Sequence, residues 1–72
     1  MKNFVKVETQ DKEGMLHILS LTLKNGTVCP VDRSFFAGET MMGDDYCNRY
    51  EVVSGGHRRF VYEDERGRWF VV

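Results

Sequence analysis

The sequence predicts an all-β protein, or a β-dominated one with a single short helical turn at residues 32–38. Its architecture is expected to be a small antiparallel meander of five to six strands, curled into a barrel or half-barrel. Three observations carry this. Residues His57 to Val72 read as two β-rich runs around a charged turn that holds Gly67. Asn25-Gly26 stands between apolar runs, a strong short-range hairpin signal. Asn3–Glu8 alternates, with Val5 and Val7 on one face and Phe4 and Lys6 on the other.

The elements follow in order. Asn3–Glu8 forms the first strand, and the polar stretch Thr9–Gly14 ends it in a turn. Leu19, Leu21 and Leu23 alternate with Ser20, Thr22 and Lys24, which predicts a second strand with its leucines on one face. A two-residue Asn25-Gly26 turn pairs Leu23 with Val28 and Leu21 with Pro30, and Pro30 ends or edges the third strand because it cannot donate to a ladder. Asp32–Cys47 shows no strand period. Asp32 is placed to cap one helical turn through Ser34–Ala37, ended by Gly38, and the rest reads as loop. Asn48–Val53 is the fourth strand. A Ser54-Gly55-Gly56 loop pairs Tyr50 with Phe60, and a four-residue loop Asp64–Gly67 pairs Tyr62 with Trp69 and Val61 with Phe70. That register gives a core face of Tyr50, Val52, Phe60, Tyr62, Trp69 and Val71.

The totals set limits. Seventy-two residues make one domain, 1–72. A chain of this size hides only about 60% of the surface its unfolded form exposes, so its core is thin and an enclosed substrate pocket is not expected. Ten basic and eleven acidic side chains leave a formal charge of −1, and neither half of the chain is strongly polarised. Nucleic-acid affinity rests largely on phosphate neutralisation by Lys and Arg, so this balance disfavours a nucleic-acid partner. It is also too weakly acidic for a DNA mimic. No apolar leader follows Met1, and no apolar run approaches the ~20 residues of a membrane helix. A cytoplasmic chain with no membrane partner is expected, its Cys29 and Cys47 kept as thiols.

Catalytic and metal chemistry find little support. His17, Cys29, Cys47 and His57 lack the close-paired spacing of structural zinc sites. Asp44-Asp45 lacks the alternating ligands of a calcium loop. No phosphate-binding loop, dinucleotide fingerprint or nucleophile elbow is present. The reading is therefore non-enzymatic, without cofactor or metal.

Two surfaces stand out as partner sites. The stretch Asp32–Cys47 is long for a connection in a compact domain, and such loops are often functional. It carries Phe35, Phe36, Met41, Met42, Asp44, Asp45 and Tyr46, and aromatics and Met are enriched in interface cores. The alternative is the outer face of the final hairpin, with Arg59, Val61, Arg68 and Phe70. The leading expectation is a protein-binding module, a small stoichiometric inhibitor or regulator of a larger protein or complex. By size and type alone, phage-encoded anti-defence proteins such as anti-CRISPRs are objects of this kind. The alternatives are a nucleic-acid-binding small barrel, suggested by Arg58, Arg59, Arg66 and Arg68 beside aromatics, and a self-associating structural subunit. The sequence leaves the oligomeric state open.

Overall fold

The computed structural model describes all residues 1–72. It is all-β, with seven antiparallel strands and no helix: β1 (Asn3–Lys12), β2 (Met15–Thr22), β3 (Val28–Pro30), β4 (Arg33–Met42), β5 (Asp45–Ser54), β6 (His57–Glu63) and β7 (Trp69–Val71). The strands form one sheet in the order β3-β2-β1-β7-β6-β5-β4. β1 is the hinge of this order. Its first residues, Asn3–Val5, pair with β7, and its remainder, Lys6–Lys12, pairs with β2.

The sheet curls so that β2 approaches β4 without a ladder between them, leaving the barrel open. The Ile18 amide donates to the Ser34 hydroxyl at 2.9 Å. Nearby, the Asp32 amide donates to the Val53 carbonyl, and the Gly55 amide to the Asp32 carboxylate. The inner face of the curl holds the main core: Ile18, Leu21, Tyr50, Val52, Val61 and Val71, with Val5, Val7, Leu16 and Trp69 packed against them. A second cluster, Cys47, Tyr62 and Phe70, lies on the outer face with Met42 against it.

All three hairpin registers differ by one residue from the sequence expectation, and each difference has a local cause. Between β6 and β7 the loop is Glu65-Arg66-Gly67, closed by the Asp64 amide to the Arg68 carbonyl at 2.9 Å, with the Gly67 amide on the Asp64 carbonyl. This is a three-residue hairpin loop whose third position needs positive φ, and Gly67 has φ +80°. The Asp64 carboxylate locks it. It accepts from the amides of Arg66 and Arg68 and from Arg68 Nε, all at 2.9 Å. Tyr62 therefore faces Phe70, and Glu63 faces Trp69. The Leu23–Thr27 turn repeats the pattern, so Leu21 pairs with Cys29 and Ser20 with Pro30. Pro30 ends β3, an edge strand, as expected. Gly55-Gly56 instead makes the shorter turn, with both residues at positive φ and Ser54 opposite His57. Tyr50 therefore pairs with Val61 rather than with Phe60.

Two bulges redirect side chains. The shift between Glu8 and Thr9 on β1 leaves Leu19 of β2 as the extra residue. The strand turns there, and Ile18 and Leu21, three positions apart, both point inward at 2% exposure. Leu19 is put outside, where strict alternation had placed it with Leu21. On β4 the bulge falls at Ala37-Gly38. The freed Ala37 carbonyl accepts from Arg49 Nε and Nη2 at 3.3 and 3.0 Å.

The expected helical turn at residues 32–38 does not form. Residues 33–42 are instead the long edge strand β4, paired with β5 from Arg33–Val53 to Met42–Asp45. The stretch read as loop is a ten-residue strand and a tight turn.

Candidate functional site

The hairpin β4–β5 sorts the seven loop candidates onto two faces. Residues directly opposite on a ladder share a face. Phe36 faces Tyr50 and Met41 faces Tyr46, so Phe36, Met41 and Tyr46 continue the inner face. Phe35 faces Glu51 and Met42 faces Asp45, so Phe35, Met42 and Asp45 belong to the outer face. Asp44 lies exposed in the turn. The expectation that all seven form one contact surface is therefore corrected.

The free end of this hairpin reaches beyond β6, which pairs only with Asn48–Ser54. It bends onto the outer face, where Met42 and Cys47 pack with Tyr62 and Phe70. Lys2 pairs with Asp45 and places its ammonium 4.9 Å from the centre of the Phe70 ring. Met42 and Asp45 thus have structural work in holding the hairpin down.

The inner-face group is left open. Phe36, Met41 and Tyr46 are 57%, 55% and 48% exposed. Phe36 meets Tyr50 edge-on at 5.5 Å, and Tyr50 meets Trp69 at 5.3 Å, a chain of rings leading from the surface into the core. Across from Phe36 stands the β1–β2 hairpin. Between them lies a cleft of about 490 Å³, lined by Asp11, Met15, Leu16, His17, Phe36 and Tyr50 among others. Met15, at its lip, is 63% exposed. Asp11 is the one carboxylate in its lining. Burial first, then the charges of Glu63 and Asp11, push the Tyr50 phenol above its usual value, which puts both carboxylates within electrostatic reach of that ring. Glu39, on the Met41 side, raises the Tyr46 phenol likewise, through side-chain interaction first and its charge second. This arrangement suits a partner that inserts an apolar side chain and carries basic groups around it. Sequence reasoning missed Met15 and Asp11, because only the β2–β4 approach brings them to the hairpin.

The alternative surface does not exist as a unit. Val61 and Phe70 are both fully buried. Arg59 and Val61 belong to the inner face, Arg68 and Phe70 to the outer, as the slipped register requires. Of the residues assigned to the core face, Phe60 is 43% exposed under the Arg49 guanidinium, and Tyr62 is buried on the outer side.

Cys47 is buried and Cys29 half-buried, both as free thiols. No three His, Cys, Asp or Glu side chains converge on a point where a metal could sit. No helix is long and apolar enough to cross a membrane. No family model, curated protein or solved structure matches the chain.

Proposed function

We propose that the chain is a non-enzymatic protein-binding module, a small regulator or stoichiometric inhibitor that docks a larger protein through the inner face of the β4–β5 hairpin and the cleft beside it. The carrying observation is the distribution of apolar side chains. Eleven large hydrophobic residues are exposed while nine hydrophobic residues form the core. The accessible surface is 5172 Å², against about 4,600 Å² for a monomer of this mass. The surplus comes with two long hairpins: Met15 and Phe36 line the cleft between them, and Met41 and Tyr46 lie exposed further along the same face of β4–β5. Met and aromatic side chains are the residues that interface cores favour, and Asp11 at the cleft, with Glu39 beside Tyr46, supplies orientation. In the cytoplasm, where this reading places it, both thiols stay reduced. Its size class is that of phage-encoded anti-defence inhibitors.

The test is capture of native-host proteins by the immobilised chain, followed by affinity measurement against the recovered partner. Phe36→Ala and the Met41/Tyr46 double alanine each remove side chains that are about half exposed, so both variants stay folded, Phe36→Ala with a melting point lowered by a few degrees through the lost Tyr50 contact. They weaken binding by at least about 2 kcal/mol where they act as hot spots. Retained affinity in both, with loss in Phe60→Ala, would move the site to the outer face.

A further inference from the structure

Three adjoining hollows share Phe4 and Val5 and together make a groove around this end of β1: one is lined by Lys2, Lys24 and Arg59, the next by Lys6 and Lys24, the last by Lys6 and Arg68. Its largest part is about 680 Å³. Five cations line it, and no carboxylate does. The other five Lys and Arg share the remaining surface with all eleven acids. The near-neutral total therefore conceals a strong segregation of charge, which the sequence totals could not reveal. Lys2 and Arg68 are neutralised by Asp45 and Asp64, whereas Lys6, Lys24 and Arg59 have no ion-pair partner.

The groove also carries a ring. Lys2, Phe4 and Lys6 alternate on the outer face of β1. Phe4 is 45% exposed, stands edge-on to Phe70 at 6.0 Å, and has the Arg68 guanidinium 4.9 Å from its centre. Phe70 and Arg68 hold the ring in place while nearly half of the residue stays open. Arg68 lies over one face of the ring, which leaves the other for a base; Lys6 flanks the ring on the outer face, and Lys24 and Arg59, the latter on the inner face, stand around the end of β1 and offer charge for the phosphates of a strand that wraps it. A duplex keeps its base faces covered, so an exposed ring favours an unpaired strand.

We propose that this groove binds single-stranded nucleic acid, with backbone phosphates on Lys6, Lys24 and Arg59 and a base stacked on Phe4. The site is separate from the Phe36–Met15 cleft, and the two readings stand or fall independently.

The experiment is fluorescence anisotropy of labelled 15-nucleotide thymidylate and uridylate strands with the full chain, between about 50 and 200 mM salt. Three unpaired cations predict a log–log salt slope of about −2 on a single strand. Lys24→Glu and Arg59→Glu should each weaken binding about tenfold at the low-salt end, and neutral Lys24→Gln should flatten the slope by about 0.7. Phe4→Ala should weaken binding about tenfold and leave the slope unchanged. Lys24 lies in an exposed turn, so its variants read binding without a folding loss. Inorganic polyphosphate, which carries the charge without bases, should compete poorly. Phe36→Ala should bind the strands as the parent does. Three results would each overturn the proposal: no binding tighter than ~1 mM at 50 mM salt, indifference to Lys24→Glu, or polyphosphate competing as well as the unlabelled strand.

Discussion

Lys2 pairs with Asp45 across forty-three residues of sequence, and the same ammonium sits over the ring of Phe70. One side chain thus joins the start of β1 to the start of β5 and lies over the outer cluster. Its two carriers are 29% and 43% exposed at the side chain, so water screens most of the Coulomb attraction. The double-mutant cycle of Lys2→Ala and Asp45→Ala should return a coupling of about 0.5 kcal/mol, and no more than about 1 kcal/mol. Denaturant melts of the four proteins measure it. A coupling well above that range would mean the pair is shielded far more than its exposure indicates.

The outer cluster itself is a different matter. Phe70 is fully buried between Tyr62, Phe4 and Cys47, whereas Phe60, one strand away on the same face, is 43% exposed. Phe70→Ala should cost about 3–5 kcal/mol, a large part of the stability of so small a domain. Phe60→Ala should cost about 1 kcal/mol or less. Urea unfolding of both variants checks the register directly. Equal losses would contradict the pairing of Tyr62 with Phe70.

Asp64 should dominate the acid limb of stability. Burial acts to raise its pKa, but the hydrogen bonds from Arg68 and Arg66 and the Arg68 charge outweigh it and hold the carboxyl below its usual 3.8. A carboxyl depressed in the folded state contributes stability that is fully present above the unfolded value. That contribution is lost as pH falls through the lower folded value. The parent should therefore keep this increment at neutral pH and shed it below about pH 4. Asp64→Asn should melt lower than the parent at pH 7, with the gap narrowing toward pH 2. A gap independent of pH would show that the ionised carboxyl contributes nothing beyond the side chain's shape and neutral hydrogen bonding.

The two thiols should react at different rates. Cys47 is 1% exposed, and burial, partly offset by Lys2, raises its pKa. Cys29 is half-buried. A thiol reagent at pH 8 should label Cys29 first and Cys47 only through opening of the β4–β5 hairpin, with two thiols titrating after denaturation. Simultaneous labelling in the native state would mean that the hairpin end does not stay on the outer cluster.

The all-β class and the antiparallel meander were legible because β1, β5 and β6 have strong strand composition and the glycines mark the turns. Register was not. Gly26, Gly56 and Gly67 fix where the chain reverses, but the number of residues in each loop depends on contacts such as those of the Asp64 carboxylate, which composition does not disclose. β4 escaped notice for a physical reason. It is an edge strand exposed on both faces, so Phe35 and Phe36 sit side by side without alternation, and the bulge at Ala37-Gly38 breaks the period again. The Phe, Met and Tyr residues of the hairpin were legible as exposed apolar groups, but not their division between two faces. The basic groove was invisible because Lys6, Lys24, Arg59 and Arg68 are far apart in sequence.

β1 meets β2 through neighbours in sequence but meets β7 only through Asn3–Val71, Phe4–Phe70 and Val5–Trp69. During synthesis the β1–β3 meander is complete once Pro30 has emerged, yet its free β1 edge waits for Val71. At about 5–20 residues per second that interval lasts about 2–8 s. Throughout it, Phe4 and the unpaired amides of Asn3 and Val5 are available to any other extended chain. The ribosome-bound intermediate is therefore the form of this protein most exposed to wrong pairing. The cations at Lys2 and Lys6, one on each side of Phe4, are placed where they repel a second nascent copy.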